Sequence, residues 1–471
     1  MLPSSIDRTG IDRTTVIIYF FLVLAGMLML WAVGRPPDGY EDGVISLLNS
    51  FVGKQFIWFV ISLGAWFVVN LLIDRNFWVV GAYPTYAATV VLLIMVLIIG
   101  KEINNARSWF SLAGFTFQPS ELAKFGACLA MAAYLSQWSE KLARWDTIGG
   151  GILLWAIPAG LIVLQPDPGS ALVFASFFIV MYREGLPGIL LFFGLFTAAM
   201  FLLGILYPTG GLTATLLCVL LGVLSFTVPR RQLLWLGGSL VLTVAAGLAY
   251  YFGYGRYALP ALATSFAGLC AYLVLRKKTQ QAVFGFVTLA WGGALALLAN
   301  LFFNNFLLPH QQDRINAWLR PEGMDERGAL YNIIQSKLAI AGGGLSGRGL
   351  REGTMTKYDY VPEQETDFIF SAVGETEGFL GSAFVILGFL ALLWRLSVIA
   401  ERQTRTFARA YAYGVVGILL IHMLVNIGMT MGLMPVIGIP LPFMSKGGSS
   451  LLAFTLMIAV LLKFDRHRKE V

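Results

Sequence analysis

The sequence predicts an all-α polytopic membrane protein with about fourteen transmembrane helices. Of its 471 residues, 57% are hydrophobic and 13% are charged, whereas soluble domains carry roughly 25% charged residues. Apolar runs near the roughly 20 residues that span a bilayer recur along the chain. The net charge of +7 comes from basic residues in short loops between these runs. This pattern is typical of membrane orientation and does not indicate a nucleic-acid partner.

The predicted spans follow one another through mostly short connections. The first run, Ile17–Val33, has no small-residue cleavage site after it and is interpreted as a retained helix, not a signal peptide. The runs on either side of Gln165-Pro166-Asp167-Pro168 are either two spans or one broken span. The predicted spans are 15–33, 55–73, 79–99, 119–137, 147–164, 168–182, 186–206, 212–228, 233–252, 257–275, 282–300, 371–394, 408–430 and 447–463.

Basic residues mark alternate short loops. Because cytoplasmic loops are enriched in Lys and Arg, these loops and both termini are expected on the cytoplasmic side. The basic residues concerned are Arg75, Lys141, Arg144, Arg183, Arg230, Arg231, Arg276, Lys277, Lys278, Arg395, Arg402, Arg405, Arg409, Lys463, Arg466, Arg468 and Lys469.

The polar segment 301–370 breaks this rhythm and is expected to be a large, ordered extracytoplasmic loop. Apolar residues between Trp318 and Ile340 recur at near-helical spacing, which favours a surface-lying helix over disorder. The run Gly342–Gly349 lacks the Lys-Ser/Thr pair of a nucleotide-binding loop and is interpreted as flexible backbone. No nucleotide cofactor is expected.

Three charged residues stand within or between the predicted spans. Glu121 and Lys124 lie three apart and share a helix face, and pairing them lowers the roughly 2.5–3.5 kcal/mol cost of a charge inside a membrane helix. They form either a structural ion pair or a pocket wall that holds a polar head group. Asp167, between two prolines, either caps the next helix or faces a water-filled cavity.

Most other ionisable groups outside the short loops lie in Asp313–Asp325 and Val361–Phe368. Taken singly, each acid there is explained by solvation. Together, acids and bases beside a membrane suit a phosphate-bearing lipid substrate, since Arg and Lys hold diphosphate and a carboxylate takes a proton from an attacking hydroxyl. The three cysteines lie in apolar runs and the three histidines do not cluster, so no zinc site is indicated.

Several motifs follow one another along the chain: Ala106-Arg107-Ser108-Trp109 with Gln118-Pro119-Ser120-Glu121-Leu122-Ala123-Lys124, Gln165-Pro166-Asp167-Pro168-Gly169, Ile334-Gln335-Ser336-Lys337-Leu338-Ala339-Ile340, Pro362-Glu363-Gln364-Glu365-Thr366-Asp367-Phe368-Ile369-Phe370 with Gly374-Glu375, and 432–443 through 445–450. In this order they resemble the SEDS family, the RodA/FtsW/SpoVE cell-wall polymerases. The resemblance covers the chain except about 185–300.

The resemblance implies a peptidoglycan glycosyltransferase of the bacterial cytoplasmic (inner) membrane that polymerises lipid II into β-1,4 glycan strands. Pro362-Glu363-Gln364 is more similar to the RodA branch, which serves cell-wall elongation and rod shape, than to the FtsW branch. Expected partners are lipid II (an undecaprenyl-diphosphate-linked disaccharide peptide), the growing glycan strand, a class B penicillin-binding protein and elongation-complex proteins. The expected domains are an N-terminal core at 1–184, a family-variable insert at 185–300, an extracytoplasmic catalytic loop at 301–370 and a C-terminal core at 371–471.

The family's essential outer-loop aspartate matches Asp325, which is the expected catalytic base. An α-linked donor and a β-linked product imply one inverting displacement, which needs one base and no covalent intermediate, by analogy with inverting glycosidases. Arg107, Lys124 or Lys337 would steady the departing diphosphate, and a divalent cation, Mg²⁺ or Mn²⁺, is a candidate cofactor. The expected substrate-binding residues are Arg107, Trp109, Glu121, Lys124, Asp167, Lys337, Glu363, Asp367 and Lys446.

The chain departs from the family at three places. Glu365 stands where the family usually has histidine, the stretch before Asp325 is one residue longer, and about four helices are added to a family core of about ten. Three alternatives stay open. The first is a lipid II flippase or transporter, since intramembrane charges and a broken segment also occur in transporters. The second is a division-type polymerase of the FtsW kind, and the third is a scaffold for an active partner.

Overall fold

Apolar helices make up most of this protein. The computed structural model describes residues 10–34, 50–103, 106–112, 115–138, 144–228, 232–307, 309–324 and 328–468. Within these ranges, twelve helices are long and apolar enough to cross a membrane. Each corresponds to one predicted span, so the polytopic α-helical membrane class is confirmed.

The N-terminal part begins with helices that polar side chains cap. Asp12 accepts a hydrogen bond from the Thr15 amide (3.0 Å), and Ser50 accepts one from the Gly53 amide (3.1 Å); such caps satisfy amides that lack intrahelical partners. The elements are α1 (Arg13–Val33), α2 (Phe51–Leu71), α3 (Arg75–Val80), α4 (Ala82–Ile99), β1 (Lys101–Ile103), β2 (Ala106–Leu112), β3 (Phe115–Phe117), α5 (Pro119–Trp138), α6 (Trp145–Leu164), α7 (Pro168–Leu172), the 3₁₀ turn Val173–Ser176 and α8 (Phe177–Arg183).

The remaining elements continue the helical pattern. They are α9 (Gly188–Leu206), α10 (Thr209–Phe226), α11 (Gln232–Tyr251), α12 (Gly255–Leu275), α13 (Thr279–Asn305), α14 (Pro309–Leu319), the 3₁₀ turn Pro321–Gly323, α15 (Ala329–Gly342), α16 (Thr354–Lys357), α17 (Ile369–Glu401), α18 (Thr406–Thr430) and α19 (Gly448–Arg466).

Two predicted spans differ from the twelve. The 119–137 run is the single helix α5, which carries the charges of Glu121 and Lys124. The 168–182 run is not one helix, because a 3₁₀ turn separates α7 from α8. Pro168 at the first position of α7 suits a helix start, since that amide has no intrahelical partner.

A small antiparallel sheet, which the sequence did not predict, precedes α5. Its strand order is β1-β2-β3, with Glu102 opposite Arg107 and Phe110 opposite Phe117. The register between β1 and β2 shifts beside Ser108, as at a β-bulge, which re-aims side chains.

The chain divides into two compact units: Met1–Pro187 with Asp313–Val471, and Gly188–Gln312. The second unit has its own hydrophobic core, with Leu212, Leu216 and Leu220 from one face of α10 and Leu269 and Leu273 from α12. The domain boundaries expected from the sequence stay a prediction.

The polar segment between α13 and α17 contains the predicted helix. Leu330 and Ile333 of α15 pack with Ala317 and Val436, and the Ser336 hydroxyl donates to the Thr430 carbonyl (2.8 Å). The helical pattern in 301–370 is therefore confirmed for α15, whereas the extracytoplasmic position of the segment stays a prediction.

The glycine-rich run after α15 is not free backbone. Gly378 has φ +66° and interrupts α17. The amide of Phe379 instead donates to the Gly344 carbonyl (2.9 Å), and the amide of Gly349 donates to the Thr376 carbonyl (3.0 Å). The interpretation as flexible backbone is therefore wrong, because the run supplies partners that the broken helix lacks.

Candidate functional site

A cavity of about 480 Å³ lies in the first unit, where four long helices begin. Lys54 and Gln55 line it from the first turns of α2, Gln118 directly precedes α5, Asp367 stands two residues before α17, and Gly448 begins α19. Helix N-termini carry partial positive charge and unpaired amides. Their convergence favours an anionic ligand.

The α2 side of the cavity is one helix face. Phe51, Lys54, Gln55 and Trp58 line the cavity at the three- and four-residue spacing that brings side chains together. The buried Gln55 accepts a hydrogen bond from the Gly447 amide (3.2 Å), which fixes the start of α19 against α2. Sequence reasoning missed this face, although polar residues at that spacing in an apolar run were a usable signal.

Asp167 both caps a helix and lines the cavity. Its Oδ1 accepts a hydrogen bond from the Ser170 amide (3.0 Å), which caps α7, and its Oδ2 accepts one from Gln118 (2.9 Å) at the cavity wall. A Cβ on Gly169 would lie 2.3 Å from the Ile437 carbonyl oxygen. Only glycine therefore permits this approach of the two loops.

Asp367 is half-buried in the cavity wall. Its pKa is raised to about 7, first by burial and then by the negative charge of Glu363, while Arg314 opposes the shift. The Asp367 carbonyl accepts a hydrogen bond from Asn426 (2.9 Å). At neutral pH the wall therefore holds a carboxyl group that is close to half protonated.

Lys446 adds a positive charge to the cavity lining. Its Nζ lies 3.5 Å from the ring centroid of Phe51 and 3.4 Å from Oε1 of Glu365. Its amide also donates to the Glu365 carbonyl (2.7 Å). Glu365 is therefore a partner of a cavity lysine.

Glu121 and Lys124 form a buried ion pair. Nζ of Lys124 lies 2.7 Å from Glu121 Oε1 and 2.9 Å from His422 Nε2, and Nδ1 of His422 lies 3.0 Å from the carbonyl oxygen of Pro440. Because a carbonyl only accepts, Nδ1 carries the proton and Nε2 accepts from the lysine. Pro440 lines the cavity, so this network adjoins the cavity and does not face it.

The structure brings five of the predicted site residues to the cavity: Trp109, Asp167, Glu363, Asp367 and Lys446. It does not bring Arg107 or Lys337 there. Asp325 lies outside the described residues.

Arg107 and Lys337 are both exposed. Arg107 lies between Ala106 and Ser108, which do line the cavity, and neighbouring strand residues point to opposite faces. The side chain of Lys337 lies against Gly432. The cavity cations are instead Lys54, Arg314 and Lys446, two of which sequence reasoning did not select.

Among the described residues, no group of three or more His, Cys, Asp or Glu side chains is arranged to hold a metal ion. Mg²⁺ is often held by only one or two carboxylates together with substrate phosphates. The expected Mg²⁺ or Mn²⁺ therefore stays a prediction.

Twelve apolar spans among the described residues define a multi-pass membrane protein, and the cavity of the first unit is suited to a polar, anionic ligand. Residues 13–227 and 259–470 match the sequence profile of the FtsW/RodA/SpoVE family, described as cell cycle protein. The chain belongs to this family.

Curated relatives match over nearly their whole length. The peptidoglycan glycosyltransferase RodA of Treponema pallidum is 32% identical, with 96% of this chain and 98% of that protein covered. The peptidoglycan glycosyltransferase MrdB of Escherichia coli K12 is 27% identical, with 98% and 95% covered.

Solved structures share the fold. One chain of a peptidoglycan synthase complex, studied for the coordination of polymerization and crosslinking, is 25% identical, with a TM-score of 0.63 and 98% and 99% of the two chains covered. The rod shape determining protein RodA of Thermus thermophilus is 24% identical, with a TM-score of 0.56 and the same coverage.

Proposed function

We propose that this protein is a peptidoglycan glycosyltransferase that polymerises lipid II during cell-wall elongation. One observation carries the proposal: Lys54, Arg314 and Lys446 line a cavity at which four long helices begin. Helix N-termini and cations together favour a diphosphate. The printed activity of the RodA and MrdB relatives supports this choice of substrate class.

The cavity has the size and chemistry for the reacting part of such a lipid. Its volume of about 480 Å³ falls within the roughly 300–1,000 Å³ range of small-molecule sites. Trp58 and Trp109 offer aromatic surfaces beside the polar groups. We assign the diphosphate to the three cations and a sugar ring to the tryptophans.

The proposed reaction is one inverting displacement. The Asp325 carboxylate takes the proton from the acceptor's 4-hydroxyl, whose oxygen forms a bond to the anomeric carbon of the donor sugar. The bond from that carbon to the diphosphate breaks, and undecaprenyl diphosphate leaves with both electrons. The cavity cations stabilise the charge that develops on the leaving group.

The buried ion pair supports chemistry over transport. The side chains of Glu121 and Lys124 are each 1% exposed, and His422 is fully buried. These groups bond one another in a buried cluster beside Pro440, which lines the cavity. We take a buried, fully bonded cluster at this position to favour a fixed reaction site over the alternating access of a transporter.

We further propose that the protein resides in the bacterial inner membrane with both termini in the cytoplasm and the cavity facing outward. A class B penicillin-binding protein is the proposed partner. The similarity to a chain of a peptidoglycan synthase complex supports an assembly of this kind, and elongation-complex proteins would join it.

The test is polymerisation of purified lipid II by purified protein, with and without the partner. Asp325→Asn is expected to keep the folded protein and to stop glycan formation, since the amide cannot accept the proton. Asp313→Asn, an exposed acid of α14 outside the cavity, is the matched control and should polymerise normally. Glycan formation by Asp325→Asn at the normal rate would remove Asp325 as the base.

A second assay separates polymerisation from transport. The same protein in vesicles should not accelerate the crossing of labelled lipid II from one leaflet to the other. Crossing without chain growth would establish the flippase alternative, and neither activity without the partner would favour the scaffold.

A further inference from the structure

An open groove lies between α1 and α17 in the first unit. Its volume is about 480 Å³, and its lining shares no residue with the cavity described above. Phe21 and Leu28 of α1 and Leu380 and Phe384 of α17 line it, and these four side chains are 41–68% exposed. Both helices are long and apolar enough to cross a membrane. The α1–α17 groove therefore opens to lipid.

The width of the α1–α17 groove is set by how the two helices pack. Met29 and Met444 are the buried part of its lining. A Cβ on Gly26 would lie 2.5 Å from Cα of Met444, so α1 approaches this part of the chain very closely. The ring centroids of Phe21 and Phe384 lie 6.4 Å apart. A further helix, about 10–12 Å across, cannot lie between these rings, whereas a single acyl chain is slimmer.

Glu377 of α17 brings a carboxylate to this apolar lining. The residue is half-buried, and no side chain or backbone group in the described parts of the chain bonds its carboxylate. A Cβ on Gly381 would lie 2.1 Å from Cβ of Glu377 and 3.9 Å from its Oε2, so glycine leaves the space beside the carboxylate open. A charged group in a membrane-spanning helix is costly and normally has a partner. An unpaired carboxylate here indicates a cationic ligand.

The polar groups of the α1–α17 groove lie together at the break in α17. Glu377 directly precedes Gly378, and Ser346 directly precedes Gly347, whose amide nitrogen would lie 2.3 Å from a Cβ on Gly378. Phe384 stands two helical turns farther along α17. The groove is therefore acidic and polar at one end and apolar at the other, which is the polarity of an amphiphile with a cationic head.

The cation at the end of α1 is bonded elsewhere. Nε and Nη2 of Arg351 donate to the Trp31 carbonyl (3.2 and 3.0 Å), and its guanidinium carbon lies 4.0 Å from the centroid of the Trp31 ring. Arg351 does not line the α1–α17 groove. The fold thus provides a hydrogen-bonded position for this arginine that does not involve Glu377.

We propose that the α1–α17 groove binds an aminophospholipid, with the primary ammonium group on Glu377 and an acyl chain along the apolar walls. A primary ammonium group donates three hydrogen bonds, and bonds between charged partners are the stronger kind. The quaternary ammonium group of phosphatidylcholine has no hydrogen to donate, and phosphatidylglycerol brings no cation to the carboxylate. The groove should therefore select phosphatidylethanolamine over both.

The test uses the full-length protein in nanodiscs of phosphatidylethanolamine and phosphatidylglycerol in equal amounts. Native mass spectrometry should show selective retention of phosphatidylethanolamine. Glu377→Gln keeps the shape and removes the charge, so it should lower that retention about tenfold. Glu352→Gln is the matched control, since Glu352 is an exposed acid that does not line the groove. It should retain phosphatidylethanolamine like the unmodified protein.

A second pair of variants tests the place of the lipid without a change of charge. Ala25 lines the groove, and the neighbouring Leu24 is 57% exposed and does not. Ala25→Trp should fill the groove and abolish the selective retention, whereas Leu24→Trp should preserve it. Equal retention by these two variants would leave the groove to an occupant other than lipid and overturn the proposal.

Two other outcomes would also overturn it. One is equal retention of phosphatidylethanolamine and phosphatidylglycerol by the unmodified protein. The other is equal retention of phosphatidylethanolamine by Glu377→Gln and Glu352→Gln. The readouts do not involve glycan synthesis, so this proposal stands or falls apart from the proposed function.

Discussion

The ammonium nitrogen of Lys124 lies 2.9 Å from Nε2 of His422, although 298 residues separate them in sequence. The lysine also bonds Glu121 at 2.7 Å, and all three side chains are buried. A buried charge is tolerated only when such partners surround it.

Loss of Lys124 should therefore destabilise the protein. Lys124→Met leaves the Glu121 carboxylate buried without a cation, which costs about 3–5 kcal/mol. The melting temperature of the detergent-solubilised protein should fall strongly. The double variant Glu121→Gln with Lys124→Met removes both charges and should recover much of the loss, whereas no difference between the single and double variants would contradict this account.

Lys446 should contribute to substrate affinity more than to stability. Its ammonium group lies over Phe51 at the cavity wall, where we assign the diphosphate. A hydrogen bond to a charged group contributes roughly 1.5–3 kcal/mol, so Lys446→Gln should raise the KM for lipid II about 10- to 100-fold. Lys357→Gln, an exposed lysine outside the cavity, is the control. A lowered melting temperature with unchanged KM would assign Lys446 a structural role instead.

The KM for lipid II should rise as the pH increases from 6 to 8. The pKa of Asp367 is raised to about 7 by burial and by Glu363, so this interval converts a mostly neutral carboxyl group to a carboxylate that repels the diphosphate. Asp367→Asn should remove this dependence. A variant with the same pH profile as the unmodified protein would exclude Asp367 as its source.

The same group affects stability with a defined sign. Because the folded pKa lies above the unfolded value of 3.8, the folded state binds more protons between about pH 4 and pH 7. The contribution of Asp367 to stability is therefore greatest at low pH and falls as the pH rises through about 7. Denaturation profiles of the protein and of Asp367→Asn should diverge across that interval.

Gly378 should not tolerate a side chain. Its φ is +66°, and a Cβ there would lie 2.3 Å from the amide nitrogen of Gly347. Residues forced into strained backbone conformations cost roughly 1–3 kcal/mol, and the clash adds to this. Gly378→Ala should lower the melting temperature, whereas Gly64→Ala, where nothing lies within 4 Å of the added Cβ, should not. Equal melting temperatures for the two variants would show that the break in α17 is not needed.

The length of apolar runs was enough to predict the twelve confirmed spans, because a bilayer imposes that length locally. The sequence motifs also identified Asp167 and Asp367, which lie next to helix starts and line the cavity. The sequence could not predict on which side of the strand the Arg107 side chain lies, because this depends on a register shift beside Ser108. The Gln55–Gly447 hydrogen bond joins residues 392 positions apart, and no local pattern reports such a contact.

The break in α17 at Gly378 is the place where the glycine-rich run is bonded to this helix. The amides of Phe379 and Leu380 donate to the carbonyls of Gly344 and Leu345, so the glycine-rich run is bonded to the interior of α17 and not to its end. Because the helical turns before Gly378 begin two residues after Asp367, these turns connect the glycine-rich run to the lining of the cavity.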